Sequence, residues 1–186
     1  MSAQGLILLK PTSINYVDGS ATLTANGSVT FSSCRSVSFN GVFSADYDTY
    51  LFVCHNTGGA QGWQQQLQLR AGGVDATSSV YTWQQNLVWG AAMASSRASN
   101  TPAFERWGSG GISCGIYGYL YGPYLADETA IRTVMNPQAD GVTEPYIYDQ
   151  AGTHDISSSY DGFTWLQQNY VSGRPSGRIA VYGLRK

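Results

Sequence analysis

Charge is what this sequence has least of. Asp, Glu, Lys and Arg make up 12% of the 186 residues, against about 25% in an ordinary globular chain. Lysine occurs only at Lys10 and Lys186, and the net charge is −2. Without a basic run to neutralise a line of phosphates, nucleic acid is excluded as the expected partner. A surface this poor in charge also has little long-range repulsion to keep copies apart, which suits a protein largely covered by neighbours. No apolar run reaches the length of a membrane span. The opening MSAQGLILLKPTS lacks the basic start and long apolar stretch of a signal peptide.

Groups that carry chemistry are equally sparse. The two histidines, His55 and His154, have neither H-x-H nor H-x₃-H spacing, so no catalytic zinc site is expected. His55 is expected at the end of a buried strand, and His154 in a turn. Glu105, Glu128 and Glu144 fall in loop-like or short-helix contexts, with nothing to pair them for glycoside hydrolysis. No G-x-S-x-G elbow occurs, and the glycines at 108–111 precede no helix that would cradle a phosphate. Asp46 and Asp48 share a turn without the other ligands of a calcium loop. Cys34, Cys54 and Cys114 are odd in number and lack C-x-x-C spacing, so they read as small buried hydrophobes with free thiols. The expectation is a protein with no enzymatic activity, no cofactor and no metal.

What the chain does have is period-two alternation on an apolar content of 42%. Asn26-Gly27 stands between alternating residues, the strongest short signal of a hairpin. Val37 and Phe39 mark a further strand, and Leu67 and Leu69 alternate with glutamines in QQQLQLR. Residues 50–54 form a solid apolar run, the pattern of a strand buried on both faces. Residues 80–89 fit one long strand or two short ones. Glycines punctuate aromatics over residues 108–122, which reads as a bulged core strand or as one packed against copies of itself. Residues 146–148, 163–166 and 178–184 are strand-like, and only residues 126–134 (ADETAIRTV) suit a helix, of about two turns. Short strands at this spacing predict an all-β fold. The expected architecture is a single jelly-roll-like antiparallel β-sandwich over residues 1–186. Residues 1–20 would form an N-terminal arm or first strand, and at most one short helix is expected.

Aromatics are the surplus: five Trp, thirteen Tyr and six Phe. Such rings fill cores and interfaces because one end is apolar and the other can hydrogen-bond, and exposed ones can stack on sugars. The candidates for an interface or a glycan platform are Trp63, Trp83, Trp89, Trp107, Tyr117, Tyr119, Tyr121 and Trp165.

Five segments carry a likeness to a known family. They are VFSADYDTY (42–50), LQLRAGG (67–73), IYG with YGP (116–118 and 121–123), SYDGFT (159–164) and SGRIAVYGLR (176–185). In order and spacing, from about residue 30 to the end, the chain resembles short bacteriophage virion surface modules of the tail-fibre, minor-tail and capsid-decoration type. The resemblance implies a structural or binding role without activity or cofactor, and frequent homotrimers. Within F-S-x-x-Y-D-x-Y, a turn held by Asp48 would deliver a tyrosine into the run 50–54, and the last strand would close inside a sheet. A fibre tip hangs from a long shaft, and only about 20 residues precede the Asn-Gly hairpin. The expected role is therefore a capsid decoration docking on the assembled shell. The alternative is a tail-tip or fibre-head module that binds a host receptor or surface carbohydrate. Expected partners are copies of itself, major capsid or tail proteins and a host surface glycan, and the expected location is the virion, after synthesis in the host cytoplasm.

Overall fold

The computed structural model describes residues 5–57, 64–104, 113–138, 146–168 and 173–186. Among these residues the chain is all strand and turn. The strands are β1 (Leu6–Leu8), β2 (Ser13–Val17), β3 (Ser20–Leu23), β4 (Val29–Ser32), β5 (Ser36–Asn40), β6 (Tyr47–Thr57), β7 (Gln64–Ala71) and β8 (Val74–Asp75). They continue with β9 (Tyr81–Trp89), β10 (Ala92–Thr101), β11 (Ser113–Tyr121), β12 (Thr129–Gln138), β13 (Tyr146–His154), β14 (Gly162–Gln168) and β15 (Ser176–Arg185).

Two antiparallel sheets result. The larger has the order β10-β9-β13-β12-β11-β6-β15-β4-β3, with β1 also on β15, and the smaller runs β2-β5-β14-β7-β8. Alternation decides which residues they bury against each other. From the small sheet come Val37, Phe39, Leu67, Leu69, Phe163 and Trp165; the large sheet answers with Val29, Phe31, Tyr50, Phe52, Ile116, Leu120, Ile179 and Val181. Phe31 and Trp165 meet across the gap at 4.9 Å between ring centroids. The arrangement is a sandwich, as the alternation predicts.

Several local expectations change. Residues 126–134 hold no helix; β12 begins at Thr129 and pairs β11 on one side and β13 on the other. Thr129, Ile131, Thr133 and Met135 turn inward, and β-branched residues with a ladder on both sides favour strand over a two-turn helix. Residues 50–54 are buried on one face only: Tyr50, Phe52 and Cys54 point in, while Val53 is exposed. No bulge breaks β11, whose register runs unshifted against both β6 and β12. Gly118 is required there because a Cβ would stand 2.3 Å from the Phe52 ring and 2.7 Å from Thr133. β10 has no apolar alternation to announce it, since it is an edge strand open to water on both faces.

The Asn26-Gly27 hairpin joins β3 to β4, but through a wider turn than two residues. Gly27 alone takes positive φ, at 100°, and the Asn26 side-chain oxygen accepts from the Thr24 hydroxyl at 2.5 Å. At the start of β6 the turn is closed by Tyr50 rather than by Asp48. The Tyr50 hydroxyl accepts from the Ser44 amide at 2.8 Å and donates to the Ser44 carbonyl at 2.7 Å. Asp48 instead meets Lys186 at 2.7 Å, and Asp46 meets the Ser44 hydroxyl at 3.4 Å. β15 lies between β6 on one side and β4 and β1 on the other, so the last strand is interior. All three cysteines are buried free thiols.

The histidines also differ from expectation. His55 lies within β6 on its outer side, 3.2 Å from the Ser113 hydroxyl. His154 is fully buried at the end of β13 rather than in a turn. The Tyr81 ring packs edge-on against it at 4.3 Å, the Tyr160 ring at 5.1 Å, and Thr129 is its neighbour on β12. Burial lowers its pKa, and backbone hydrogen bonds together with the charge of nearby Asp155 only partly offset this. The unfolded chain then takes up a proton near pH 6.5 while the folded one resists, so stability falls as pH drops below about 6.5. Urea midpoints of the wild type should decline between pH 7 and pH 5, and His154→Gln should flatten that slope; an equal slope in both proteins assigns the effect elsewhere.

Candidate functional site

On the large sheet, the face turned away from the sandwich carries a row of tyrosines, while most other described rings are buried in the core. Alternate residues of a strand share a face, so Tyr117, Tyr119 and Tyr121 of β11 all stand outward. Tyr117 is 49% exposed and Tyr121 42%, with Tyr119 half-buried between them. The Tyr119 and Tyr121 rings lie nearly parallel, 21° apart with centroids at 6.2 Å.

Register carries this face sideways. Tyr119 is opposite Leu51 on β6 and Arg132 on β12, Arg132 opposite Ala151 on β13, Ala151 opposite Gln84 on β9, and Gln84 opposite Arg97 on β10. One step along, Tyr121 faces Ala130, then Thr153, then Thr82. Small side chains at Ala130 and Ala151 sink the floor between taller neighbours, leaving a groove of about 770 Å³ walled at one end by Tyr121 and at the other by Arg97.

Arg132 stands beside the tyrosines and is held in place by a two-pronged contact with Asp149, Nε to Oδ1 at 2.7 Å and Nη2 to Oδ2 at 2.5 Å. The hydrogen bond and charge of Asp149 raise the pKa of Arg132 further. A guanidinium fixed in this way is pre-organised, so less freedom is lost when a ligand arrives. Among the described residues lining the groove there is no Asp, Glu or His. The groups on offer are a ring face, hydroxyls, an amide and guanidinia, which suit stacking and hydrogen bonding.

The other candidates fall elsewhere. Trp165 is buried in the sandwich core, and Trp83 is buried too, beneath the groove on the inner side of β9. Trp89 lies half-exposed at the far end of β9, away from the tyrosines. Trp63 and Trp107 lie outside the described residues. The structure thus assembles the three tyrosines and sets the described tryptophans, Trp83, Trp89 and Trp165, apart from them. Arg132, Gln84, Thr82 and Arg97 were not singled out from sequence. Reading TAIRTV with period two would have set Arg132 on one face with Ala130 and Val134, but nothing local shows that Arg97 stands in the same row.

No family model and no curated protein matches the chain. Among solved structures, it is similar to the CBM2 module of the evolved Dit of Lactobacillus casei BL23 phage J-1. Identity is 10%, coverage is 100% of this chain and 93% of that one, and the TM-score is 0.31. A score that low carries no conclusion about this chain's function. The site therefore stands on its own geometry.

A second exposed feature lies at the far corner of the same face. Ile147 of β13, Val88 of β9 and Met93 of β10 are lateral neighbours, and all three are exposed, Met93 at 75%. Beside them the outer edge of β10 has no strand partner among the described residues.

Proposed function

We propose that the chain is a non-catalytic surface module of a bacteriophage particle that holds a saccharide against the outer face of its large sheet. The observation that carries the binding role is the row Tyr117, Tyr119 and Tyr121 beside a groove lined by hydroxyl, amide and guanidinium groups. A pyranose presents a C–H face that packs on the electron-rich face of an aromatic ring, and its hydroxyls need donors and acceptors alongside. The β11 row and the groove supply both. The virion assignment rests on the ordered likeness of segments from about residue 30 onward.

In titrations against soluble host-surface polysaccharides, Tyr117→Ala and Tyr121→Ala should each weaken binding by about 1–2 kcal/mol, roughly five- to thirtyfold. Unfolding midpoints should stay near wild type, because both rings are exposed. Unchanged affinity in both variants would place the saccharide elsewhere.

A second reading, capsid decoration, is favoured by one specific observation. The Ile147–Val88–Met93 row next to an open strand edge suits a contact with shell subunits or with further copies in a homotrimer. A protein bound only to assembled shell would stabilise it by mass action. Copy number and position in an image reconstruction of the particle separate the two readings: a copy at every capsomer three-fold site means decoration, and a few at the tail mean receptor binding.

A further inference from the structure

We infer that the saccharide held on this face is acidic, its carboxylates meeting Arg97 at the far wall of the groove. The inference rests on the proposed saccharide-binding role and assigns the chemical class of its ligand. The chain has a net charge of −2 and only ten cationic side chains. Two of these, Arg97 and Arg132, stand in one row across the groove, separated by Ala151 and Gln84, and no described lining residue is acidic. Three strand spacings separate them, about 14 Å at roughly 4.8 Å each, the reach of a short oligosaccharide.

The two guanidinia have different roles. Asp149 largely neutralises Arg132, leaving it to orient hydroxyls. Arg97 is exposed and has no ion-pair partner among the described residues. Its neighbour across the ladder is the neutral Gln84. An arginine fork of this kind matches a carboxylate with two parallel hydrogen bonds. Tyr121 at the opposite wall stacks the sugar ring, so that recognition divides into one apolar and one charged contact.

The test is affinity electrophoresis of the whole chain through gels containing polygalacturonate, alginate or hyaluronate, with dextran, pullulan and mannan as neutral counterparts. Retardation by at least one acidic polymer, at least tenfold stronger than by any neutral one and weakening with salt, is expected. Arg97→Gln should remove that preference, lowering acidic affinity at least fivefold without changing the unfolding midpoint. Asp149→Asn should raise acidic affinity by releasing the charge of Arg132. Retardation by a neutral polymer that Tyr121→Ala abolishes and Arg97→Gln leaves intact would overturn the acidic assignment while sparing the saccharide role. Retardation by none of the six would overturn both.

Discussion

Trp165→Ala is expected to lower the unfolding free energy by about 3–5 kcal/mol, the range for truncating a large buried aromatic. Trp165 is 1% exposed and sits in β14 between Val37 of β5 and Leu67 of β7. Its ring reaches across the sandwich to Phe31. Alanine would open a cavity where the two sheets meet, and neighbours held by ladders on both sides could refill it only in part. The indole also donates from Nε1 to the Gln65 side-chain oxygen at 2.7 Å, and Gln65 is itself fully buried. The variant therefore leaves a buried amide oxygen without that donor, at about 1–3 kcal/mol, within the stated total or slightly beyond it. Trp165→Phe helps separate the two contributions, because it keeps an aromatic ring between the sheets while losing the donor and part of the ring volume. Urea unfolding followed by circular dichroism measures both. An alanine variant within about 1 kcal/mol of wild type would mean that the sheets do not close on this residue.

Arg70→Met should be the second most damaging change, at about 2–4 kcal/mol. Arg70 points out of the small sheet yet is 7% exposed, because its neighbours fold over it. Its Nε donates to the Asn40 side-chain oxygen at 2.8 Å, and Nη1 donates to the Ser38 and Thr164 hydroxyls at 3.2 and 2.9 Å. Nη1 also contacts Asp75, and Nη2 the Gly73 carbonyl. One guanidinium thus ties β5, β14, β8 and the β7–β8 turn together. Removing it strands the Asp75 carboxylate among groups arranged for a cation. Breaking a fully buried pair costs about 3–5 kcal/mol, and Asp75 keeps some contact with water, hence the lower range. Arg70→Met with Asp75→Leu should recover part of the loss, since the stranded charge goes too. A double variant as unstable as the two single losses summed would show that the residues act independently.

The sandwich was legible in the sequence where one face of a strand is buried. Leu67 and Leu69, Val29 and Phe31, and Ile179 and Val181 were separated from their polar neighbours by alternation alone, and all six lie in the core. The reading failed where burial leaves no such imprint. β10 is open on both sides, so AMASSRASNT shows no period. β12 carries Ala130, Arg132 and Val134 outward among β-branched residues, and its pairing with the strands before and after it, β11 and β13, outweighs the local composition. The aromatic surplus was visible as a count but not as a distribution. Tyr117, Tyr119 and Tyr121 share a face by spacing, whereas Trp83 and Trp165 are hidden by partners that only the register supplies. Arg97 joins Arg132 through three successive strand pairings, information spread over residues 84–151 and present in no single segment.

Hydroxyl-radical footprinting of tyrosines, with and without a saccharide that the chain retains, reads out whether the β11 row is the binding face. Protection is expected to concentrate at Tyr117 and Tyr121, with exposed Tyr16 on the small sheet unchanged. Protection of Tyr16 in place of the β11 tyrosines would contradict it.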